Sequence, residues 1–431
     1  MTTGTTLSSW VSSEQLGLGS HPTWLYSALL MAVIVGGMRT TRRGMLQLLQ
    51  VCCGELWCKM WLLSPLPIVA LIRKSGLPTS VRRQLKWLFR LVLKMLLGKK
   101  HVQVTTTTAS TRRIGARGKH SLRNKKRLNN TVTLYRKMPL KAISRLWGRF
   151  NQIELPIFLR KPLLGLYIWM FGCNLDEAEI EDLRHYKNLG EFFRRELKSH
   201  VRPIDDDHVL TSPADGKILY YGKVENGILE QVKGVTYSLR GFLGPQTWHG
   251  AQANDINHMS DYEYQQQLEL NPDNDLFHCI IYLAPGDYHR FHSPTHWNVV
   301  HRRHFPGELL SVNPGVARWI QGLFNFNERA VYTGKWEHGF FSMCAVGATN
   351  VGSIKIYCDE DLETNTHHKH QDGVYFDKTF SSAVDVPKGS MFGEFNLGST
   401  LVLIFEAPKG FDFKIHEGKK IKYGEPLGTS P

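Results

Sequence analysis

The 431-residue chain has few cysteines, and their spacing matches no common metal or disulfide pattern. It contains seven, without any Cys-x-x-Cys pair, so we expect neither a zinc site nor a disulfide framework. Cys279 and Cys344 lie in apolar runs and are predicted to be inert buried thiols. The GxGxxG motif is also absent, which argues against a dinucleotide-binding loop.

Acidic residues are scarce in the first third of the chain. Residues 1–153 contain 26 lysines and arginines but only Glu14 and Glu55, a net charge of about +24, whereas the remainder carries about −9. Such a basic block favours attachment to anionic lipid, with nucleic acid as the competing partner. We expect an anionic membrane surface as the partner of this region, and no nucleic acid. In a nucleic-acid-binding protein the basic region would have to act beside an acidic body.

The apolar runs of this region are short of the ~20 residues that a perpendicular membrane helix needs. Residues 23–38 are uncharged and suit a short membrane anchor or an interfacial helix, and residues 60–72 contain two prolines and suit an interfacial hairpin. Residues 81–97 combine a wide apolar face with a basic residue at every fourth position. This pattern is typical of a helix lying on an anionic bilayer, and the alternative is a core helix with a charged edge. The basic residues are Arg82, Lys86, Arg90 and Lys94.

Structured sequence is predicted to resume near residue 133, after a polar and basic linker at residues 98–130. Helices are predicted at residues 140–152 and 163–171. A further amphipathic helical region is predicted at residues 176–197, with a break at Asn188-Leu189-Gly190.

Beyond Pro203 the pattern changes to strands separated by Gly and Pro turns. Strands are predicted at residues 217–224, 278–283, 297–305, 341–346, 353–357 and 400–405. Residues 250–275 are polar and are predicted to form a surface insertion. The sequence therefore predicts an α+β fold: a β-rich, sandwich-like or barrel-like body with helices on one side, preceded by membrane-associating helices.

One short motif suggests a reaction of the backbone itself. Gly398 and Ser399 lie between a glycine-containing turn and the apolar run 401–405, and glycine tolerates strained backbone and close approach of a nucleophile. Attack of the Ser399 hydroxyl on the Gly398 carbonyl would convert the amide into an ester. Elimination would then cut the chain and leave a dehydroalanine that hydrolyses to a pyruvoyl group. Gly-Ser-Thr alone, however, is also common in ordinary turns.

Other stretches join this motif in a specific order, and together they resemble phosphatidylserine decarboxylases of the proteobacterial and mitochondrial type. The resemblance covers about residues 133–431. It is carried by Ser212-Pro213-Ala214-Asp215-Gly216, Val232-Lys233-Gly234, Tyr288-His289-Arg290-Phe291-His292-Ser293-Pro294, Phe305-Pro306-Gly307, Ser311-Val312-Asn313-Pro314, Asn327-Glu328-Arg329, Val346-Gly347-Ala348-Thr349-Asn350-Val351-Gly352 and Leu397-Gly398-Ser399-Thr400.

The resemblance implies that the chain cleaves itself between Gly398 and Ser399. The β chain would end at Gly398, the α chain would comprise residues 399–431, and the two would stay associated. The pyruvoyl group formed from Ser399 would condense with the amine of phosphatidylserine and withdraw electrons as CO₂ leaves, giving phosphatidylethanolamine. A non-enzymatic membrane lipid-binding protein that keeps the fold without cleavage is the alternative.

The resemblance also implies roles for single residues. His292 would be the base for Ser399, Asp215 would orient it, and His289 would donate a proton during decarboxylation. Residue types alone leave ordinary roles open, because Asp before Gly is a turn signal and the chain has nineteen histidines. His289 and His292 could also bind a metal ion, but no Glu-x-x-His or Cys partner accompanies them, and we expect no metal.

Three further residues are expected to shape the substrate pocket: Lys233, Phe305 and Gly307. Lys233 would meet the lipid phosphate or simply lie in a surface turn.

The chain is expected to divide near residue 130. Residues 1–130 would form a targeting and membrane-attachment region with its linker, and residues 131–431 the catalytic domain. The resemblance implies the mitochondrial inner membrane, with the catalytic body facing the intermembrane space. The surface of the endoplasmic reticulum or of a lipid droplet is the alternative location. A homo-oligomer is left open.

Overall fold

The computed structural model describes residues 135–136, 139–232, 234–246, 248, 259–349, 353–367, 373–396 and 398–431. The predicted membrane segments at residues 23–38, 60–72 and 81–97, the linker that follows them, and Lys233 lie outside these residues. The described part consists mainly of strands with a smaller number of helices, which confirms the predicted α+β, β-rich fold.

The helices with described bounds are mostly short. They are α1 (Leu140–Asn151), α2 (Ile157–Phe171), α3 (Leu189–Phe193), α4 (Leu239–Leu243), α5 (Asp261–Gln266), α6 (Pro314–Ala317) and α7 (Leu323–Phe326), with a 3₁₀ turn at Ser199–Val201. Among the described residues, none of the helices has the length and apolar character needed to cross a bilayer.

The strands form one large sheet and three small ones. The strands are β1 (Leu210–Thr211), β2 (Gly216–Lys223), β3 (Ile228–Val232), β4 (Val235–Ser238), β5 (Asn274–Tyr282), β6 (Arg290–His292), β7 (Trp297–Phe305), β8 (Arg329–Trp336), β9 (Gly339–Val346), β10 (Ile354–Ile356), β11 (Phe376–Val386), β12 (Met391–Phe395), β13 (Thr400–Pro408), β14 (Asp412–Phe413), β15 (Lys420–Ile421) and β16 (Pro426–Thr429). The large sheet is antiparallel in the order β11-β7-β8-β9-β13-β5-β2-β15, and the small sheets are β1-β16-β14, β10-β12-β6 and β3-β4.

Strand β13, which begins one residue after Ser399, lies near the middle of the large sheet. Its first residue, Thr400, pairs with Tyr282 of β5 on one side and with Val346 of β9 on the other. Along the strand, Leu401 and Leu403 pack into one hydrophobic cluster, and Val402 packs into another on the opposite face. Burial on both faces explains why this strand is a continuous apolar run without polar alternation. Ser399 therefore lies directly before a strand whose first eight residues are buried.

The two faces of the large sheet are covered in different ways. One is covered by α4 to α7, which contribute Phe242, Tyr264, Val316 and Phe324 to its cluster. The opposite face is covered by the β1-β16-β14 and β10-β12-β6 sheets, which contribute Phe291, Ile354, Phe395 and Leu427. This arrangement confirms the prediction of helices on one side of the β-rich body.

Helices α2 and α3 form a third cluster beside the loop that follows β5. Tyr167 of α2 donates a hydrogen bond from its hydroxyl to the carbonyl oxygen of Pro285, at 2.7 Å. Next to it, a Cβ on Gly286 would lie only 2.2 Å from the carbonyl oxygen of Phe171 at the end of α2. Glycine is therefore required for the loop to pass so close to the helix. These contacts fix the segment that carries His289.

The predicted amphipathic helical region at residues 176–197 is mostly not helical. The helix here is α3, and the segment before it consists of turns with an isolated bridge between Ala178 and Leu197. Asn188, which we interpreted as a break, starts α3, because its side chain accepts a hydrogen bond from the backbone N–H of Glu191 at 2.8 Å. The apolar residues Leu183 and Tyr186, whose spacing suggested a helix, are buried in the third cluster.

The predicted surface insertion at residues 250–275 is also wrong for the part that the structure describes. Ser260 caps α5 in a reciprocal capping box with Glu263, and Tyr264 and Leu268 are completely buried in the helix-covered cluster. Two core residues thus lie within a segment whose sequence is mostly polar. The thiol predictions hold, since Cys279 and Cys344 are free and buried.

Candidate active site

Ser399 is fully buried at the entrance of β13 and is held on both sides by backbone groups. Its carbonyl oxygen accepts a hydrogen bond from the N–H of Leu283 at 2.9 Å, and its hydroxyl donates a hydrogen bond to the carbonyl oxygen of Val346. Leu283 follows β5 and Val346 ends β9, the two strands that flank β13. The neighbouring strands thus fix both the backbone and the hydroxyl of Ser399.

His289 faces the residue on the other side of that bond. Its Nδ1 donates to the carbonyl oxygen of Asp287 at 2.7 Å, so in the neutral ring the lone pair is on Nε2. This Nε2 is buried and has no hydrogen-bond partner in the described part of the chain. It lies 3.9 Å from the position that a Cβ on Gly398 would occupy. A buried acceptor without a partner therefore faces the Gly398-Ser399 junction.

Packing holds the His289 ring in place and keeps it neutral. The ring of Phe193, from α3, lies 3.8 Å from the imidazole between centroids, and the carbonyl oxygen of His289 accepts from the N–H of Phe395 at 3.0 Å. Burial lowers the pKa of His289 to about 3, with a small opposing effect from the hydrogen bond to Asp287 and a further lowering by the Arg195 charge. At neutral pH His289 is therefore a base.

Asp215 and His292 lie side by side around Tyr423. The N–H of His292 donates to the carbonyl oxygen of Pro213 at 2.8 Å, which brings the loop of Asp215 against β6. The Tyr423 ring stacks on the His292 imidazole at 3.9 Å between centroids, and the Tyr423 N–H donates to Asp215 Oδ1 at 2.9 Å. Within the described residues, however, no hydrogen bond joins Asp215 to His292 or His292 to Ser399. The structure thus brings the acid and the histidine together without a hydrogen-bonded triad.

The carboxylate of Asp215 is held by a buried arginine. Arg202 donates from Nε and Nη2 to the two oxygens of Asp215, at 3.1 and 2.6 Å, and also from Nη2 to Glu177 at 2.6 Å. Burial disfavours the Glu177 charge, but the hydrogen bonds from Arg202 and Lys422 outweigh it and lower the pKa of Glu177 to about 2. The two-pronged contact fixes the orientation of the Asp215 carboxylate.

His292 already has partners for both ring nitrogens. Nδ1 donates to the carbonyl oxygen of Gly389 at 3.0 Å, and Nε2 accepts from the hydroxyl of Tyr288 at 3.3 Å. Burial lowers the pKa of His292 to about 4, opposed by the Gly389 contact and by the negative charge of Asp215. His292 is therefore a neutral base at pH 7, with Tyr288 covering its lone pair.

The other residues predicted to shape a pocket make core contacts. Phe305 is buried and packs under the Arg329 guanidinium, whose central carbon lies 3.8 Å from the ring centroid. A Cβ on Gly307 would lie 2.4 Å from the backbone nitrogen of Glu328, so glycine is needed for this close approach. Lys233 lies outside the described residues.

Sequence reasoning missed several side chains of this site. Tyr288 lies beside His289 in a stretch that we did single out, and its aromatic hydroxyl was a usable signal. Phe193, Arg202 and Tyr423 are distant in sequence, and only the packing brings them here. The described residues contain no group of three His, Cys, Asp or Glu side chains that could hold a metal ion.

The buried neutral histidines predict acid sensitivity of the fold. Burial lowers the pKa of His278 to about 4, and those of His289 and His292 to about 3 and 4, from 6.5. The unfolded chain therefore binds more protons below pH 6.5, so stability is undiminished above that pH and falls as the pH drops toward 4. Between pH 7 and pH 5 each histidine should cost about 2 kcal/mol of unfolding free energy.

Urea unfolding of the uncut Ser399→Ala chain at the two pH values measures this loss. A His278→Asn variant carries one fewer buried imidazole and should lose less between pH 7 and pH 5. Equal unfolding free energies at both pH values would contradict the burial of neutral imidazoles.

The family model for phosphatidylserine decarboxylase matches residues 189–429. The chain belongs to the phosphatidylserine decarboxylase family. Asp215, His289, His292 and Ser399 all lie inside the part that the phosphatidylserine decarboxylase model matches.

Individual members of the phosphatidylserine decarboxylase family are similar over most of their length. The mitochondrial phosphatidylserine decarboxylase proenzyme of Cricetulus griseus is 56% identical over 306 residues, which cover 69% of this chain and 74% of that protein. The mitochondrial proenzyme 1 of Schizosaccharomyces pombe is 43% identical, with 68% and 80% covered. The mitochondrial proenzyme 1 of Saccharomyces cerevisiae is 37% identical, with 82% and 86% covered.

Proposed function

We propose that this protein decarboxylates phosphatidylserine to phosphatidylethanolamine after cutting its own chain between Gly398 and Ser399. Family membership supports the reaction. The observation that carries the mechanism is the Gly398-Ser399 junction with its buried serine, faced by an imidazole nitrogen that has no partner among the described residues. These residues fit a pyruvoyl group at position 399, which would supply a ketone that condenses with the substrate amine and withdraws electrons from the bond to the carboxylate.

For the cleavage, the Ser399 hydroxyl attacks the Gly398 carbonyl carbon while His292 removes its proton and Asp215 orients His292. The neutral state of His292 and its position beside Asp215 support this assignment. In the uncut chain the Ser399 hydroxyl is bonded to Val346 and His292 Nε2 to Tyr288. Both hydrogen bonds have to be exchanged before the proton can move, so cleavage is expected to be a slow maturation step.

For the decarboxylation, His289 accepts a proton at Nε2 and later returns it. A substrate ammonium has to lose a proton before its nitrogen can attack a carbonyl, and the free lone pair of His289 is placed to take it. The same nitrogen then returns the proton to the carbon that loses the carboxylate. Because burial keeps the His289 ring uncharged at neutral pH, the ring has to gain the proton before it can donate it.

The two chains are proposed to stay associated after the cut. Strand β13 of the α chain would remain paired with β5 and β9 of the β chain, residue by residue from Thr400. Detection of a C-terminal fragment of 33 residues, 399–431, tests the proposal against the alternative of an uncleaved lipid-binding protein. Release of CO₂ from phosphatidylserine by the purified, cleaved protein tests the reaction.

Residues 131–431 are proposed to form the catalytic domain and residues 1–130 the attachment region. The names of the relatives support a mitochondrial location, and we propose the inner membrane with the catalytic body facing the intermembrane space. The endoplasmic reticulum or a lipid-droplet surface is the alternative. Imaging of a fusion of residues 1–130 to a fluorescent reporter distinguishes these locations.

We further propose that α1 and α2 rest on an anionic membrane. Large apolar side chains are concentrated on these two helices and the turn between them, and many are more than half exposed. They are Leu146, Phe150, Ile153, Ile157, Phe158, Leu159, Leu163, Leu166 and Trp169. A contiguous exposed apolar surface of this kind is typical of a membrane or protein contact, and a lipid substrate favours the membrane.

Replacing Phe158 and Trp169 together by serine should weaken binding to anionic vesicles by roughly two orders of magnitude. These side chains are 76% and 66% exposed, and each would lose about 1.5–3 kcal/mol of apolar burial in the bilayer. Vesicle co-sedimentation measures the change. Tyr262→Ser is the matched control, because Tyr262 is an aromatic residue 51% exposed on α5, away from these helices. Unchanged binding of the double variant would remove α1 and α2 from the membrane contact.

A further inference from the structure

A cavity of about 180 Å³ lies beside the candidate active site. Its lining includes Arg145 and Arg149 from α1, Phe193 from α3, Asn365 and His367 from the loop after β10, and Asn396. The volume gives room for several water molecules or for a phosphate group. Because the lining comes from helices that precede the catalytic body and from loops of the body itself, the cavity exists only in the folded chain.

The charged side chains of this cavity are cationic. Its lining residues, in the part of the chain that the structure describes, include two arginines and a histidine but no aspartate or glutamate. Arg145 Nη1 donates to the side-chain oxygen of Asn365 and to the carbonyl oxygen of Thr366, both at 3.2 Å. These neutral acceptors orient the guanidinium without neutralising it. The Nε and Nη2 atoms of Arg145 make no hydrogen bond with a described residue, so this edge of the guanidinium group is free to bind an anion.

Arg149 adds a second charge at the cavity mouth. It lies one turn after Arg145 on α1, its side chain is exposed, and its Nη2 lies 3.4 Å from His367 Nε2. Its described polar contact is therefore with another basic side chain. An anion between the Arg145 and Arg149 side chains would accept hydrogen bonds from their guanidinium nitrogens, which now face neutral acceptors or solvent.

The cavity is separated from the reacting residues by a single aromatic ring. Phe193 lines the cavity and also stacks on His289 with 3.8 Å between ring centroids. Asn396 lines the cavity two residues before Gly398. In a phosphoserine headgroup only a few bonds separate the amine-bearing carbon from phosphorus. A substrate whose amine reaches residue 399 would therefore place its phosphate near this cavity.

We propose that the cavity is the phosphate subsite, in which Arg145 and Arg149 bind the phosphodiester of the phospholipid substrate. This inference rests on the proposed function and adds a second site at which the protein would hold the substrate. The exposed apolar side chains of α1 and α2 belong to the same helices, so the headgroup would enter the cavity while the acyl chains stay at the membrane contact. The arginines bind and position the substrate, and they take no part in proton transfer.

The test uses water-soluble short-chain phosphatidylserine below its micelle concentration, so that vesicle attachment does not contribute. Arg145→Gln and Arg149→Gln should each raise KM about tenfold or more, with little change in kcat, because each loses a charge-assisted hydrogen bond to the phosphate. Both should still cut between residues 398 and 399, which shows that they fold. Arg184→Gln is the matched control, since its side chain is 64% exposed, pairs with Asp182 and does not line the cavity.

A binding measurement separates this inference from the reaction itself. Calorimetry on the uncut Ser399→Ala protein should show binding of glycerophosphoserine that Arg145→Gln weakens about tenfold. Inorganic phosphate should bind more weakly to the same site, because it lacks the serine that reaches residue 399. Loss of inorganic phosphate binding alone, with glycerophosphoserine binding and KM unchanged, would overturn the substrate role of the cavity. If the unmodified, cleaved protein released no CO₂, the proposed function would fail instead, whatever the arginine variants did.

Discussion

The Ser399→Ala variant should accumulate as one uncut chain without decarboxylase activity. Removing the hydroxyl removes the nucleophile, so neither the ester nor the elimination that follows it can form. Denaturing electrophoresis and intact-mass measurement should show the full 431-residue chain instead of a fragment pair. Activity should fall to background, because the ketone at residue 399 is never made.

Thr400→Ala is the matched control for this experiment. It removes the neighbouring hydroxyl, whose oxygen is buried and has no hydrogen-bond partner in the described residues. This variant should still cut. In the unmodified protein the short fragment should begin with a group that has no free amine. A short fragment that begins with an ordinary serine amine would mean proteolysis by another enzyme, and the pyruvoyl mechanism would be wrong.

Asp215→Ala and His292→Ala should also remain largely uncut, because a serine hydroxyl is a weak nucleophile without an oriented base. Glu177→Gln is the control for Asp215, since Glu177 shares the Arg202 guanidinium, whereas the Tyr423 N–H donates to Asp215. It should cut normally. Normal cleavage of His292→Ala would transfer the base role to another group.

The His289→Ala variant should cut normally but lose decarboxylation by about 10²-fold or more, the usual contribution of a positioned general acid–base. The side chain has no hydrogen bond to Ser399, and its free nitrogen faces Gly398 from inside the protein. The measurement pairs the fraction of cut chain with CO₂ release per cut chain. His278→Asn is the matched control, since His278 is an equally buried imidazole with a lowered pKa that packs on Tyr220 instead.

Two outcomes would change the role of His289. Uncut protein would place it in the cleavage step, for which its distance of 3.9 Å from the Cβ position of Gly398 is suitable. Full decarboxylation by a normally cut variant would leave it as a packing residue under Phe193. Each outcome is visible from the same pair of measurements.

The strands that sequence patterns predicted are those with local apolar signals. The prediction at residues 297–305 matches β7, and the prediction at 400–405 identifies the first two thirds of β13. Strand β8 was missed because Arg329, Gly334 and Lys335 interrupt its apolar character. In the folded protein the buried Arg329 donates to four carbonyl oxygens and stacks on Phe305, and the acceptors Gly241 and Phe242 are far away in the sequence.

The sequence by itself determined the family and the β-rich body and predicted the reactive bond, because an ordered set of motifs, an apolar run and a serine after glycine are all local properties of the chain. The tertiary structure alone decided which groups surround His289 and His292. Phe193, which stacks on His289, and Tyr423, which stacks on His292, come from separate parts of the chain. The pairing of β13 between β5 and β9 positions Ser399. It also decided the protonation states, since the low pKa of His289 arises from burial and not from its sequence neighbours.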